Sequence, residues 1–116
     1  MAESLADMMA EVVKVNEVNG WYEREVPFLE AMWLLGSEVY EAGEAYREHG
    51  MDDMTQVFDA AGDGNPKPEG VGSEFADVFI RLLDYCHRYG VDLEFEYRRK
   101  LAYNATRGYR HGGKQA

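Results

Sequence analysis

Two acidic pairs carry most of the chemistry open to this chain: Glu38 and Glu41 in Glu38-Val39-Tyr40-Glu41, and, starting 33 residues after Glu41, Glu74 and Asp77 in Glu74-Phe75-Ala76-Asp77. Each pair is spaced i, i+3 within an apolar run of helical period, so on an α-helix both carboxylates share one face beside the apolar stripe. A lone charge is costly to bury there. Four converging carboxylates suit a hard cation. Oxygen-only ligands favour Mg2+ or Mn2+, and Mg2+ is commonly shared between a few carboxylates and a substrate's phosphates. A single acidic i, i+3 pair is more often a solvated helix face, so the pattern alone leaves metal binding and solvation both open.

Lys100, Asn104 and Arg107 recur at i, i+4, i+7. That stripe offers two cations and an amide, which suits the oxygens of a polyphosphate; without the acidic pairs it would read as surface. Lys67, in a stretch rich in Gly and Pro, could close over phosphates or simply be solvated. Trp21 stands just outside a helix, where base stacking and ordinary packing are equally open, whereas Trp33 falls on an apolar stripe and reads as core. Asp84 shares a helix face with Asp77, and a salt bridge to Arg81 or Arg88 is at least as good an account of it as a place near the metal. Cys86 reads as core, and His49 and His87 as surface.

The elements that must position these residues are helical. Leu5, Met8, Met9, Val12, Val13 and Val15 mark a first helix, capped by Ser4 and ending near Asn19-Gly20. Pro27 suits the first position of a second, with Phe28, Leu29, Met32, Trp33, Leu35, Val39 and Ala42 as its apolar stripe and an end near His49-Gly50. A short helix is expected around 52–60, then a loop, about 61–71, whose glycines and prolines break regular structure and leave it most free to move. Ser73 is placed to cap a third helix stopping at Tyr89-Gly90, and Asp92 a fourth that Gly108 closes. The tail, about 108–116, is basic and flexible. With no strand-like alternation, the expectation is an all-α bundle of four to five helices in a single domain, 1–116.

Composition narrows the function further. The net charge is −10, and −6 remains after setting aside the four motif carboxylates, with no basic face before residue 98. A passive nucleic-acid binder is therefore not expected, because phosphate neutralisation needs such a face. A single cysteine fits a reducing cytoplasm, the first residues do not resemble a signal peptide, and no apolar run reaches the roughly 20 residues of a membrane span. Aromatic residues make up 13% of the chain, more than one thin helical core hides, which favours a homo-oligomer.

The ordered motifs Glu38-x-x-Glu41, Lys67-Pro68-Glu69-Gly70-Val71 leading into Glu74-x-x-Asp77-Val78-Phe79-Ile80-Arg81-Leu82-Leu83-Asp84, Lys100-x-x-Tyr103-Asn104-x-x-Arg107 and His111-Gly112-Gly113-Lys114 together resemble the MazG-like all-α nucleoside triphosphate pyrophosphohydrolases, over residues 16 to 114. The family often places a further Glu where this chain has Ser37, and the gap between its acidic motifs is usually shorter. The resemblance implies a homodimer or homotetramer that cleaves (d)NTP to the monophosphate and pyrophosphate with Mg2+. It implies Glu38, Glu41, Glu74 and Asp77 as metal ligands and Lys100, Asn104, Arg107 and Lys67 as phosphate ligands. Trp21 would stack on the base, with Asn19 or Asn16 hydrogen-bonding it and Tyr103 and Tyr40 packing nearby. His111 and Lys114 could fold over the nucleotide from the tail. A carboxylate would take the proton of the attacking water, Glu41 being favoured over Glu38 as catalytic base. Two other functions stay open: hydrolysis of a different nucleotide, such as an alarmone or modified dNTP, and a catalytically silent acidic module.

Overall fold

The computed structural model describes residues 4–51, 56–58 (backbone only) and 62–109. Four helices and one small hairpin follow in the order α1 (Leu5–Val18), α2 (Phe28–His49), β1 (Gln56–Phe58), β2 (Lys67–Glu69), α3 (Val71–Tyr89) and α4 (Leu93–Ala105). None of these helices is long and apolar enough to cross a membrane.

The helix ends follow local chemistry. Ser4 Oγ accepts from the Asp7 amide at 3.1 Å and Asp92 Oδ1 from the Phe95 amide at 3.0 Å, each satisfying a first-turn donor that has no partner within its helix. Gly90 ends α3 at φ 69°, ψ 35°, the left-handed conformation that a Cβ penalises. The start of α3 lies earlier than the sequence suggests. Gly70, at φ 102°, turns the chain so that the helix begins at Val71. Ser73 is therefore inside the first turn, where its hydroxyl donates to the Pro68 carbonyl at 3.2 Å and ties the helix to the hairpin.

The hairpin corrects the expectation of a helix around 52–60 and of a chain without strands. Residues 56–58 pair antiparallel with 67–69, Val57 opposite Pro68, while 52–55 and 59–61 lie outside the described residues. Val57 and Phe58 favour extended backbone, and Pro68 is tolerated because a two-stranded ribbon leaves one side of each strand unpaired. Helix α4 stops at Ala105, three residues short of Gly108: the Arg107 amide donates to the Asn104 carbonyl at 3.2 Å and the Thr106 hydroxyl to the Tyr103 carbonyl at 2.7 Å, tightening the last turn. Arg107 thus lies beyond the helix that was to carry it in a stripe with Lys100 and Asn104.

Helices α2 and α3 pack antiparallel. Phe28 meets Tyr89 edge to face at 5.2 Å, and Glu38 meets Arg81 at 2.9 Å halfway along. Ala31, Ala42 and Ala45 are the buried residues of α2, and Leu83, Tyr85 and Cys86 lie buried on α3. Small side chains let the two backbones approach closely. Of the expected stripe Ala42 is buried and Met32 and Leu35 are partly so, whereas Leu29, Trp33 and Val39 face outward, Trp33 at 76% exposure, and Phe28 is half-exposed beside Tyr89. Helix α1 packs on α3, and α4 lies mainly against α1. The radius of gyration, 17.1 Å, exceeds the ~13 Å of a compact domain of this length. A chain this open leaves large apolar faces on α2, α3 and α4 without internal cover.

Leu83, 1% exposed, is the most buried large side chain. Leu83→Ala should cost about 2–5 kcal/mol and lower the midpoint of chemical denaturation accordingly; a change below ~1 kcal/mol would show that the α2–α3 contact is not the core.

Candidate metal centre and adjoining cleft

Antiparallel packing sets the midpoint of α2 beside the start of α3, and the acidic pairs meet there. Glu38, Glu41 and Glu74 each bring a carboxylate oxygen within 4.8 Å of the others, close enough to share one cation. Asp77, on the next turn of α3, stands outside that trio but beside it, within hydrogen-bonding reach of Glu74 and facing the charge of Glu38. Arg81 is the one cation that reaches the group from α3: its Nε and Nη2 donate to Glu38 Oε1 at 3.1 and 2.9 Å. Lys67 on β2 pairs with Glu69 at 3.3 Å, a contact that raises the lysine's pKa, and the charges of Glu74 and Asp77 raise it further. The hairpin carries this lysine to the rim of the acidic group.

The electrostatics register the crowding. Burial, and then the charges of Asp77, Glu41 and Glu38, hold the Glu74 carboxyl above the usual carboxylate range. Asp77 is raised as well, by burial first and by Glu38 next. Glu74 Oε2 is buried and has no hydrogen-bond partner. An unsatisfied carboxylate oxygen beside two more carboxylates is costly for the chain alone, and it is the donor set that a hard divalent cation takes. The residues present therefore fit Mg2+ or Mn2+.

A cleft of about 510 Å3 opens from this group towards the end of α1, within the range of small-molecule sites. Glu38 and Asp77 line one part of it, and Asn16 and Trp21 another. Trp21 is 60% exposed and stands on the segment joining α1 to α2, so its ring is available to a flat ligand. That segment is held from α3: Arg88 Nη2 donates to the Trp21 carbonyl at 2.6 Å, and the Tyr89 hydroxyl donates to the Val26 carbonyl at 2.6 Å. Asp84 is not beside the cation group. Its Oδ2 accepts from Arg88 Nε at 2.9 Å, and its Oδ1 accepts from Asn16 Nδ2 at 3.2 Å and from the Tyr22 hydroxyl. Burial and the bond to Asp84 push the Tyr22 hydroxyl up to about 12, so it remains a donor.

Other sequence-derived candidates fall elsewhere. Asn19 terminates α1 and does not line the cleft; Asn16, a turn earlier, does. Lys100, Asn104, Arg107 and Tyr103 are not on the cleft within one chain, and Lys100 and Arg107 instead sit over the Tyr103 ring at 6.0 and 5.7 Å. Tyr40 is exposed on α2. Cys86 is buried, with burial pushing its thiol up, whereas His87 is exposed and packs against Tyr22 at 5.7 Å. His111 and Lys114 lie outside the described residues. The ion pair of Asp84 with Arg88 was one of the options read from sequence, whereas its bonds to Asn16 and Tyr22, 68 and 62 residues away, were missed. No family model, curated protein or solved structure matches the chain.

Because the folded state favours neutral Glu74, the stability this group contributes is present below the ordinary carboxylate range and is lost as pH rises through its raised value. In metal-free protein Glu74→Gln should therefore melt with the parent near pH 4 and a few degrees above it at pH 7, and Mg2+ should raise the melting temperature of the parent only. A difference that is constant with pH, or equal Mg2+ stabilisation of both, would contradict the assignment.

Proposed function

We propose that this chain is a Mg2+-dependent nucleoside triphosphate pyrophosphohydrolase that converts (d)NTP to (d)NMP and pyrophosphate, in keeping with its MazG-like motifs. The observation that carries the reading is the continuity of the carboxylate group with an aromatic-walled cleft, Glu38 belonging to both and Asp77, beside the trio, also lining the cleft. A base against Trp21 would place its phosphates over the carboxylates. Mg2+ held by Glu38, Glu41, Glu74 and Asp77 would offset the triphosphate's charge and make a water more acidic at the α-phosphorus.

The protein's own part is positioning and proton transfer. Glu41 is the exposed member of the trio, and so the carboxylate best placed to take a proton from an incoming water. Arg81 fixes Glu38 from the opposite helix and limits its rotation. Lys67 approaches from the hairpin and supplies a charge for a phosphate oxygen.

Lys100, Asn104 and Arg107 enter this scheme from a second copy of the chain. Two features support that: one chain leaves apolar faces on α2 and α4 uncovered, and the basic run Arg98-Arg99-Lys100 midway along α4 complements the acidic α2–α3 face. Localisation of those cations away from the cleft also suits a silent acidic module, and the two accounts part at the assay.

Incubation with each common NTP and dNTP should release pyrophosphate and monophosphate with Mg2+ and none with chelator. Glu41→Ala and Asp77→Ala should each lower turnover by at least ~1000-fold, from the several kcal/mol such a ligand set contributes, with helical content unchanged. Mixing Glu41→Ala with Lys100→Ala subunits should restore part of the activity if sites are shared between copies. Absence of turnover with every nucleotide would favour the silent module.

A further inference from the structure

The cleft contains more than a stacking wall, and its polar groups are unevenly committed. Three arginines line it, and each already faces an oxygen of the protein: Arg24 Nη2 donates to Glu30 at 2.8 Å, Arg81 to Glu38 and Arg88 to Asp84. Acceptors are less fully used. Asn16 lines the cleft, gives its side-chain amide nitrogen to Asp84, and its side-chain Oδ1 accepts no hydrogen bond among the described residues.

Asp84 decides which way that amide faces. A carboxylate ion-paired to Arg88 only accepts, so Asn16 must turn its NH2 towards it and leave Oδ1 on the other side. Two further donors, Tyr22 and Arg88, hold the carboxylate still. Tyr22 is itself fixed, with the Arg88 guanidinium 4.7 Å from its ring centre. The side chain of Asp84 is only 8% exposed and that of Arg88 12%, which keeps water from competing for the amide.

Nucleobases differ at the atom such an oxygen would meet. Cytosine and adenine carry an exocyclic amine, a donor, where uracil, thymine and hypoxanthine carry a carbonyl, an acceptor. An oriented carbonyl oxygen accepts from the first group and opposes the second. We propose that Asn16, its amide oriented by Asp84, selects amine-bearing bases, cytosine or adenine, over their carbonyl counterparts. This rests on the cleft being the nucleotide site. Asn16 is the specificity-determining residue, and Asp84 is a positioning residue that acts through it.

Calorimetric titration with monophosphates in Mg2+ buffer reads the preference without turnover. The isosteric pairs dCMP against dUMP, and dAMP against dIMP, exchange the amine for a carbonyl, together with the adjacent ring nitrogen for N–H, and show which ring size the cleft takes. At least one pair should favour the amine by roughly tenfold, the worth of one well-made hydrogen bond. Asn16→Ala should bring that ratio close to one, by weakening dCMP or dAMP and, with the opposing oxygen gone, by not weakening dUMP or dIMP. Asp84 keeps Tyr22 and Arg88 in that variant, so its melting temperature should stay near the parent's. In Asp84→Asn the amide at 16 can face either way, and the ratio should fall there too, with kcat for the carbonyl nucleotide retained. Equal affinities, a carbonyl preference, or an undiminished ratio in Asn16→Ala would overturn the proposal. Triphosphates hydrolysed with equal kcat/KM for all four bases would overturn base selection and leave the hydrolase. Selective monophosphate binding without pyrophosphate release would remove the hydrolase and leave base selection, and neither binding nor turnover would overturn both.

Discussion

Close antiparallel contact between α2 and α3 forces like charges together, and the rest of the site follows from that. Ala31, Ala42 and Ala45 bring the backbones near, and the same approach draws three carboxylates within 4.8 Å. Two unit charges at that distance repel by about 1 kcal/mol in water and about 3–4 kcal/mol near a protein surface. Only partial relief comes from within the chain: Arg81 on Glu38, Lys67 at the rim, and the raised proton affinity of Glu74 and Asp77. Glu74 Oε2 is left buried without a partner. A divalent cation would resolve all of these at once, which is the physical ground for treating the cluster as a centre rather than as a solvated face.

The polar network around Asp84 plays the opposite part. Here one carboxylate accepts from three donors on α1, on the following segment and on α3 itself. Nothing is left over for a metal. Its satisfaction locks the Trp21 segment to α3 through Arg88, so the cleft has one wall set by electrostatic need at the carboxylates and another set by completed hydrogen bonds.

Much of this was readable in the residues. The caps at Ser4 and Asp92 and the stop at Gly90 are local, and local chemistry decides them. The i, i+3 carboxylates were readable as pairs, and their convergence followed once α2 and α3 were taken as antiparallel neighbours. What failed depended on partners distant in sequence or absent from one chain. The 56–58 strand needs a partner eleven residues on, the inward face of α2 was chosen by its alanines rather than its aromatics, and Trp33 lost the place its periodicity assigned it. For Asp84 an ion pair with one of two arginines and a place near the metal both stayed open, and the stripe from Lys100 to Arg107 was broken by the early end of α4.

The central claim is that the α2–α3 carboxylates form a metal centre. Titrating the protein with Mn2+ and following the free-ion electron paramagnetic resonance signal tests it most directly. The account predicts that the signal is suppressed as Mn2+ binds, that excess Mg2+ restores it, and that Glu74→Gln removes most of the suppression. A signal that grows from the first addition as it does in buffer, in parent and variant alike, would contradict the account and return the cluster to an acidic surface.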